Sequence, residues 1–265
     1  MNIISIDVGW KGETKRNAVA IATPHKQITL LASGLGDSDL INLIREQIES
    51  KSLVLLDVPI EGCYNLCKPQ RPIESALQHY ISLYPASMAS VRGIELKKRL
   101  LQAIPESIRK SVIVQEIYPH AVYKFLWVAN QKGKLNSIQL GKWERFLDES
   151  FTPSVSPPKY KGNITFEKRI VGMGELYDFL TQNLELRFSQ SLYSPYNISA
   201  RRSKLELLAD QYDACLGAVV GLYCVTGNPY AWLAGDESHG EILILADIWL
   251  KEQLEACGTT MKHLY

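Results

Sequence analysis

Residues 1–32 read MNIISIDVGWKGETKRNAVAIATPHKQITLLA, and this stretch decides the fold. Residues 3–7 form a short β-branched run that ends on Asp7 and is closed by Gly9. Residues 17–23 alternate Ala with Val or Ile, and 27–32 give a third run of strand composition. The segments between them, GWKGETKR and PHK, carry Gly, Pro and charge, which turn a chain between antiparallel neighbours. A three-stranded antiparallel meander is the simplest reading.

Outward from the meander, residues 37–50 place Leu40, Leu43, Ile44 and Ile48 on one face of a helix, with Asp37 or Ser38 as its N-cap. Residues 52–57 then run SLVLLD without alternation, as a parallel strand covered on both faces does. Residues 112–116 are a fifth strand, followed at 119–128 by a helix with Pro119 in its first turn. The segment 59–110, with a basic helix around 94–104, reads as one insertion, and 130–200 as a second. Within the latter, 151–165 is rich in Pro, Ser, Lys and Gly and reads as a mobile loop, whereas 167–184 reads as helical. Residues 202–223 give the strongest helical period, with Gly227 beyond the end. A short strand at 241–245 and a helix at 246–257 complete an α/β chain of one domain over 1–265.

Composition constrains the chemistry only loosely. With 29 basic and 28 acidic residues the net charge is +1, so any contact with nucleic acid needs a local patch. Five cysteines in scattered positions give no paired disulfide framework and fit a reducing cytoplasm. The first residues lack the basic and apolar regions of a secretory signal, and the apolar stretch 214–225 is interrupted by glycine and too short to span a bilayer. These features predict a cytoplasmic protein without a membrane partner; they leave its oligomeric state open.

Asp7 in IISID, Asp57 in LVLLD and Glu116 in VIVQE each terminate an apolar strand. Taking a carboxylate out of water is costly unless it is paired or holds a metal, and ligands of open α/β sheets bind beyond the carboxyl ends of the strands. Asp210 and Asp213, three residues apart, share one face of the long apolar helix. Hard cations such as Mg²⁺ or Mn²⁺ prefer oxygen ligands of this kind. Taken singly, each acid also has an ordinary explanation: Asp57 can start a turn, and Asp210 and Asp213 can pair with Arg201, Arg202 or Lys204. Their number and order favour a site.

The order is an acid on the first strand of a meander, a helix, an acid on the fourth strand and an acidic helix near the end. This order resembles the ribonuclease H-like superfamily, and the late helix looks like that of Holliday-junction resolvases. The motifs ID at 6–7, DVP at 57–59, RPIE at 71–74, EIYP at 116–119 and DA at 213–214 resemble those of a bacterial and archaeal family of uncharacterised proteins predicted to be ribonuclease-H-like nucleases. The resemblance implies a mixed sheet flanked by helices, with Asp7, Asp57 and Asp213 as metal ligands for Mg²⁺ or Mn²⁺. It further implies Glu116 and Asp210 as accessory catalytic acids, Arg71 and Glu74 near the substrate, and nucleic acid as the partner whose phosphodiester bonds are hydrolysed.

Two other readings compete. One is phosphoryl transfer from Mg-ATP on the related actin-like architecture, which the missing glycine-rich turns near Asp7 disfavour. The other is a binding module that keeps the fold without the chemistry. Cys63 and Cys67 lack a second pair at zinc spacing, since His79 and His120 stand alone. Arg92, Lys97, Lys98 and Arg99 suit either phosphates or a solvated helix face. No P-loop, dinucleotide-binding glycine motif or GxSxG elbow occurs.

Overall fold

The computed structural model describes residues 1–9, 16–49, 51–61, 70–82, 90–189, 192–197 and 202–265. Cys63, Cys67, Arg201 and most of the first turn lie outside the described residues.

Strands β1 (Asn2–Asp7), β2 (Asn17–Thr23) and β3 (Gln27–Leu35) form the expected antiparallel meander, with Ile6 opposite Val19 and Ala20 opposite Leu30. The second turn is tight, closed by Lys26 N–H donating to the Thr23 carbonyl at 3.1 Å. On the other side of β1, β4 (Ser52–Leu56) and β5 (Val112–Ile117) run parallel to it. Ile6 pairs with Leu56 and Leu56 with Glu116. All five residues of β4 are buried, which is why its sequence lacks alternation.

The sheet continues past β5. A hairpin of β7 (Ala231–Asp236) and β8 (Gly240–Leu245) joins it, with β8 parallel to β5 through Ile117 and Leu243. Two-residue strands β6 (Arg187–Phe188) and β9 (Met261–Lys262) pair with β3 and β7, giving the order β6-β3-β2-β1-β4-β5-β8-β7-β9. The chain is thus an α/β fold with a mixed parallel and antiparallel sheet. Sequence reading finds β8 but not β7, whose AWLAGD carries too little β-branched character to stand out.

Helices cover both faces. Against Ile4, Ile6, Val54, Leu56 and Val114 pack α1 (Asp37–Gln47) and α3 (Ser90–Ala103), through Leu40, Ile44, Leu96 and Leu100. Against Ile3, Leu53, Leu55 and Ile117 lie α2 (Pro72–Gln78), α5 (Pro119–Gln131) and α8 (Arg202–Val225). Shorter α4 (Glu106–Arg109) and α6 (Leu135–Gln139), then α7 (Phe166–Asp178) and α9 (Ile248–Ala256), complete the set. None of the helices among the described residues is long and apolar enough to cross a membrane.

Three local expectations change. Helix α1 is capped by Gly36, because the Asp37 carboxylate is drawn instead to Arg92, at 2.8 Å from two guanidinium nitrogens. The helix expected at 167–184 gives way after Asp178 to a π-turn, Phe179–Asn183. Residues 151–165 are irregular but packed, with Phe151 and Tyr160 buried in the core. Lys124 of α5 holds the start of this segment by donating to the Thr152 carbonyl at 2.6 Å.

Candidate metal centre

Register delivers the first two acids. Because Ile6 and Leu56 are paired, Asp7 and Asp57 follow one step later on adjacent parallel strands, with Asp57 N–H donating to the Ile6 carbonyl at 3.0 Å. Both continue the rows of side chains that face α8, namely Ile3 and Ser5 on β1 and Leu53 and Leu55 on β4.

Helix α8 delivers the third. A Cβ on Gly221 would come within 2.5 Å of Ile3 Cγ2, and one on Gly217 within 2.1 Å of Ser5 Oγ. These glycines let the helix lie directly on β1, in steps of four residues that match the alternate residues of the strand. One more step brings Asp213 opposite Asp7, and Asp210 follows on the same stripe. The ligand oxygens of Asp7, Asp57 and Asp213 accordingly all lie within 4.8 Å of one another. Three carboxylates at this spacing suit a hard divalent cation.

Glu116 does not join them. Its partner in the register is Leu56, one residue before Asp57, so its side chain belongs to the opposite face of the sheet. There Arg71 donates to Glu116 Oε2 at 2.7 Å and to Glu74 Oε1 at 3.0 Å, and contacts Glu116 Oε1 as well. Glu74 also accepts from the Arg71 backbone N–H at 2.9 Å, closing the start of α2. Arg71, Glu74 and Glu116 are all buried. The structure brings these three residues together as an internal ion network, and as they stand none of them faces solvent.

Three residues without any sequence motif complete the cluster. The ammonium of Lys161 lies 3.0 Å from Asp7 Oδ2, 3.0 Å from Asp210 Oδ1 and in contact with Asp213 Oδ2. The Tyr160 hydroxyl donates to the other Asp213 oxygen at 2.5 Å. Arg16 caps the outer side, with Nη2 at 3.3 and 3.2 Å from the two Asp210 oxygens, and reaches Glu206 at 3.4 Å. Asp210 therefore sits between two cations and outside the triad. Nothing local in the sequence marks Tyr160, Lys161 or Arg16, since tertiary packing alone brings them to the acids.

The electrostatics follow from burial. It pushes the Asp7 carboxyl well above the usual carboxylate range; Lys161 opposes the rise, while Asp213, Asp210 and Asp57 add to it. Asp57 is pushed up to about 8 by burial and by Asp213, against the pull of Lys161 and of a hydrogen bond with Asp7. For Lys161 burial works the other way, but Asp213, Asp7 and Asp210 hold the ammonium well above its ordinary value. Burial lowers His120, at the start of α5, despite the field of Asp213, and among the described residues its ring makes no hydrogen bond.

The basic helix is largely neutralised from within. Arg92 and Arg99 both meet Asp37, at 2.8 and 3.5 Å, and Lys97 meets Glu61. Lys98 remains exposed.

Comparison of the chain with protein-family models, with curated proteins and with solved structures finds no match.

Proposed function

We propose that this chain is a metal-dependent phosphodiesterase of the ribonuclease H-like type, acting on nucleic acid in the cytoplasm. The observation that carries the reading is the convergence of Asp7 and Asp57, at the carboxyl ends of two adjacent parallel strands, with Asp213 from the middle of α8. The order β3-β2-β1-β4-β5, with the first acid on the central strand, supports the fold assignment. The motifs ID, DVP and DA supply the same three acids.

In this reading Asp7, Asp57 and Asp213 hold Mg²⁺ or Mn²⁺. When bound, such an ion polarises a phosphoryl oxygen and acidifies a water. Tyr160 fixes one oxygen of Asp213 and Lys161 the other, which holds this carboxylate beside Asp7 and Asp57. Lys161 and Arg16 place positive charge where an anionic backbone would approach. His120, whose basicity burial lowers within the field of Asp213, is the histidine that could accept a proton in this reading.

The test is incubation of the full chain with labelled single-stranded, duplex, hybrid and branched nucleic acids plus Mn²⁺. Cleavage that disappears in Asp7→Asn supports the proposal. Absence of cleavage on every substrate, or equal cleavage by Asp7→Asn, sinks it.

One observation favours a second reading. Because Lys161 already supplies a cation to the acids, the fold could serve as a non-catalytic binding module. Nucleic-acid binding without turnover, unchanged by Asp7→Asn, would select that reading.

A further inference from the structure

We infer that Lys161 is the second cation of the acidic cluster, so that the centre takes one divalent ion and keeps the ammonium beside it. The inference rests on the metal-binding reading above and adds a stoichiometry and a residue role to it.

The acids of the cluster fall into two overlapping sets. Asp7, Asp57 and Asp213 form one; Asp7, Asp210 and Asp213, which surround Lys161, form the other. Two-ion centres hold their metals about 3.5 to 4 Å apart. With Nζ 3.0 Å from both Asp7 and Asp210 and in contact with Asp213, the ammonium engages the carboxylate oxygens that a second ion would need as ligands. Asp57 has no ion pair with it among the described residues and is left for the first.

Charge gives the same answer. With all four aspartates ionised, Lys161 and Arg16 leave two negative charges, which one divalent ion neutralises. A second ion would leave an excess of two positive charges in a largely buried site.

The backbone around Lys161 is held on both sides, which is what a fixed cation requires. Tyr160 is buried and bonded to Asp213. On α7, Gly172 lies so close to the Lys159 carbonyl that a Cβ would stand 2.3 Å from the oxygen. Arg169, also buried, donates to the Gly162 carbonyl at 2.8 Å. A lysine that merely tied down a surface loop would not need its neighbours locked on each side. Lys161 is thus a positioning residue: it fixes Asp7 and Asp213 and excludes a second metal.

The experiment counts Mn²⁺ ions bound per chain, by electron paramagnetic resonance of free Mn²⁺ and by calorimetry, on the wild type, Lys161→Met and Lys161→Arg, each checked for folding by circular dichroism. One ion is expected on the wild type and on Lys161→Arg. On Lys161→Met two are expected, the first held at least about tenfold more tightly because a like charge has left its side. Two ions on the wild type would overturn the inference, as would a single ion of unchanged affinity on Lys161→Met. No ion on any of the three proteins at millimolar Mn²⁺ would instead remove the metal reading itself. Should Lys161→Met fail to fold, Lys161→Gln replaces it, and the wild-type count still discriminates.

Discussion

Arg71 grips Glu116 with both terminal guanidinium nitrogens, one of them at 2.7 Å from Oε2, in a pocket closed to water. Removing one member of such a buried pair leaves the other charge without compensation, at about 3 to 5 kcal/mol. Arg71→Met is therefore expected to lose stability on that scale in urea unfolding. Glu116→Gln should lose less, since the amide still accepts from Arg71. Arg71→Lys should not restore the wild type, because an ammonium cannot reproduce the fork. A loss below about 1 kcal/mol for Arg71→Met would show that the network contributes little to the fold.

Gly217→Ala places a methyl group 2.1 Å from Ser5 Oγ and 2.3 Å from Ile117 Cδ1. Ser5 and Ile117 must turn aside or the helix must move away from β1 to admit it, at about 1 to 3 kcal/mol. Because Asp213 lies one turn away on the same stripe, Mn²⁺ affinity should fall along with stability. Gly227→Ala tests the alternative that any glycine of this region would do so. Gly227 has a positive φ of 68° but open space around it, so its substitution should cost stability without weakening the ion.

Asp7→Asn separates ion binding from folding. In the metal-free protein burial disfavours the Asp7 charge while Lys161 favours it, so the isosteric amide should change stability far less than it changes ion binding. Saturating Mn²⁺ should raise the melting temperature of the wild type, corresponding to about 2.7 kcal/mol at a hundredfold excess over Kd, and leave the variant unmoved. An equal shift in both would place the ion elsewhere.

The pH dependence has a definite sign. A free aspartate titrates at about 3.9, whereas Asp57 titrates at about 8 in the folded chain. Between those values folding takes up a proton, so the stability of the metal-free protein falls as pH rises from about 4 to about 8. Asp7 shifts in the same direction. Burial lowers Lys124 to about 8, which opposes the trend above that pH, whereas Cys215 and Cys224, both pushed up to about 12, reinforce it once an unfolded thiol would ionise, so no recovery of stability is expected on the alkaline side. A divalent ion needs ionised carboxylates, and its binding should release protons throughout the lower window. Calorimetry at pH 6.5 in two buffers of different ionisation enthalpy measures that release. Zero release would contradict the raised values.

How much of this was legible in the sequence depends on range. The meander, β4, β5 and α8 are written in local composition, and so are the strand endings that carry Asp7 and Asp57. The role of Glu116 was not, because it turns on a register in which Leu56 pairs with Glu116 and so sets this acid on the other face. A local reading sees three equivalent strand endings. Lys161 was illegible for a different reason: 151–165 has no periodicity, and its fixed position comes from the packing of Lys159 against Gly172 and from the contact of Lys161 with Asp213 far along the chain. The glycines at 217 and 221 were the signal within reach, since their spacing from Asp213 shows which stripe of α8 meets the sheet.

The ion pairs of the centre bridge long stretches of chain, Lys161 and Asp7 being 154 positions apart and Arg16 and Asp210 194. During synthesis, β1 and its aspartate emerge long before the helix that carries Asp210 and Asp213 exists. A growing chain thus passes most of its synthesis without an assembled centre, and any hydrolytic power stays latent until α8 has been made and docked. On the nuclease reading proposed above, that timing would be a safeguard written into chain order.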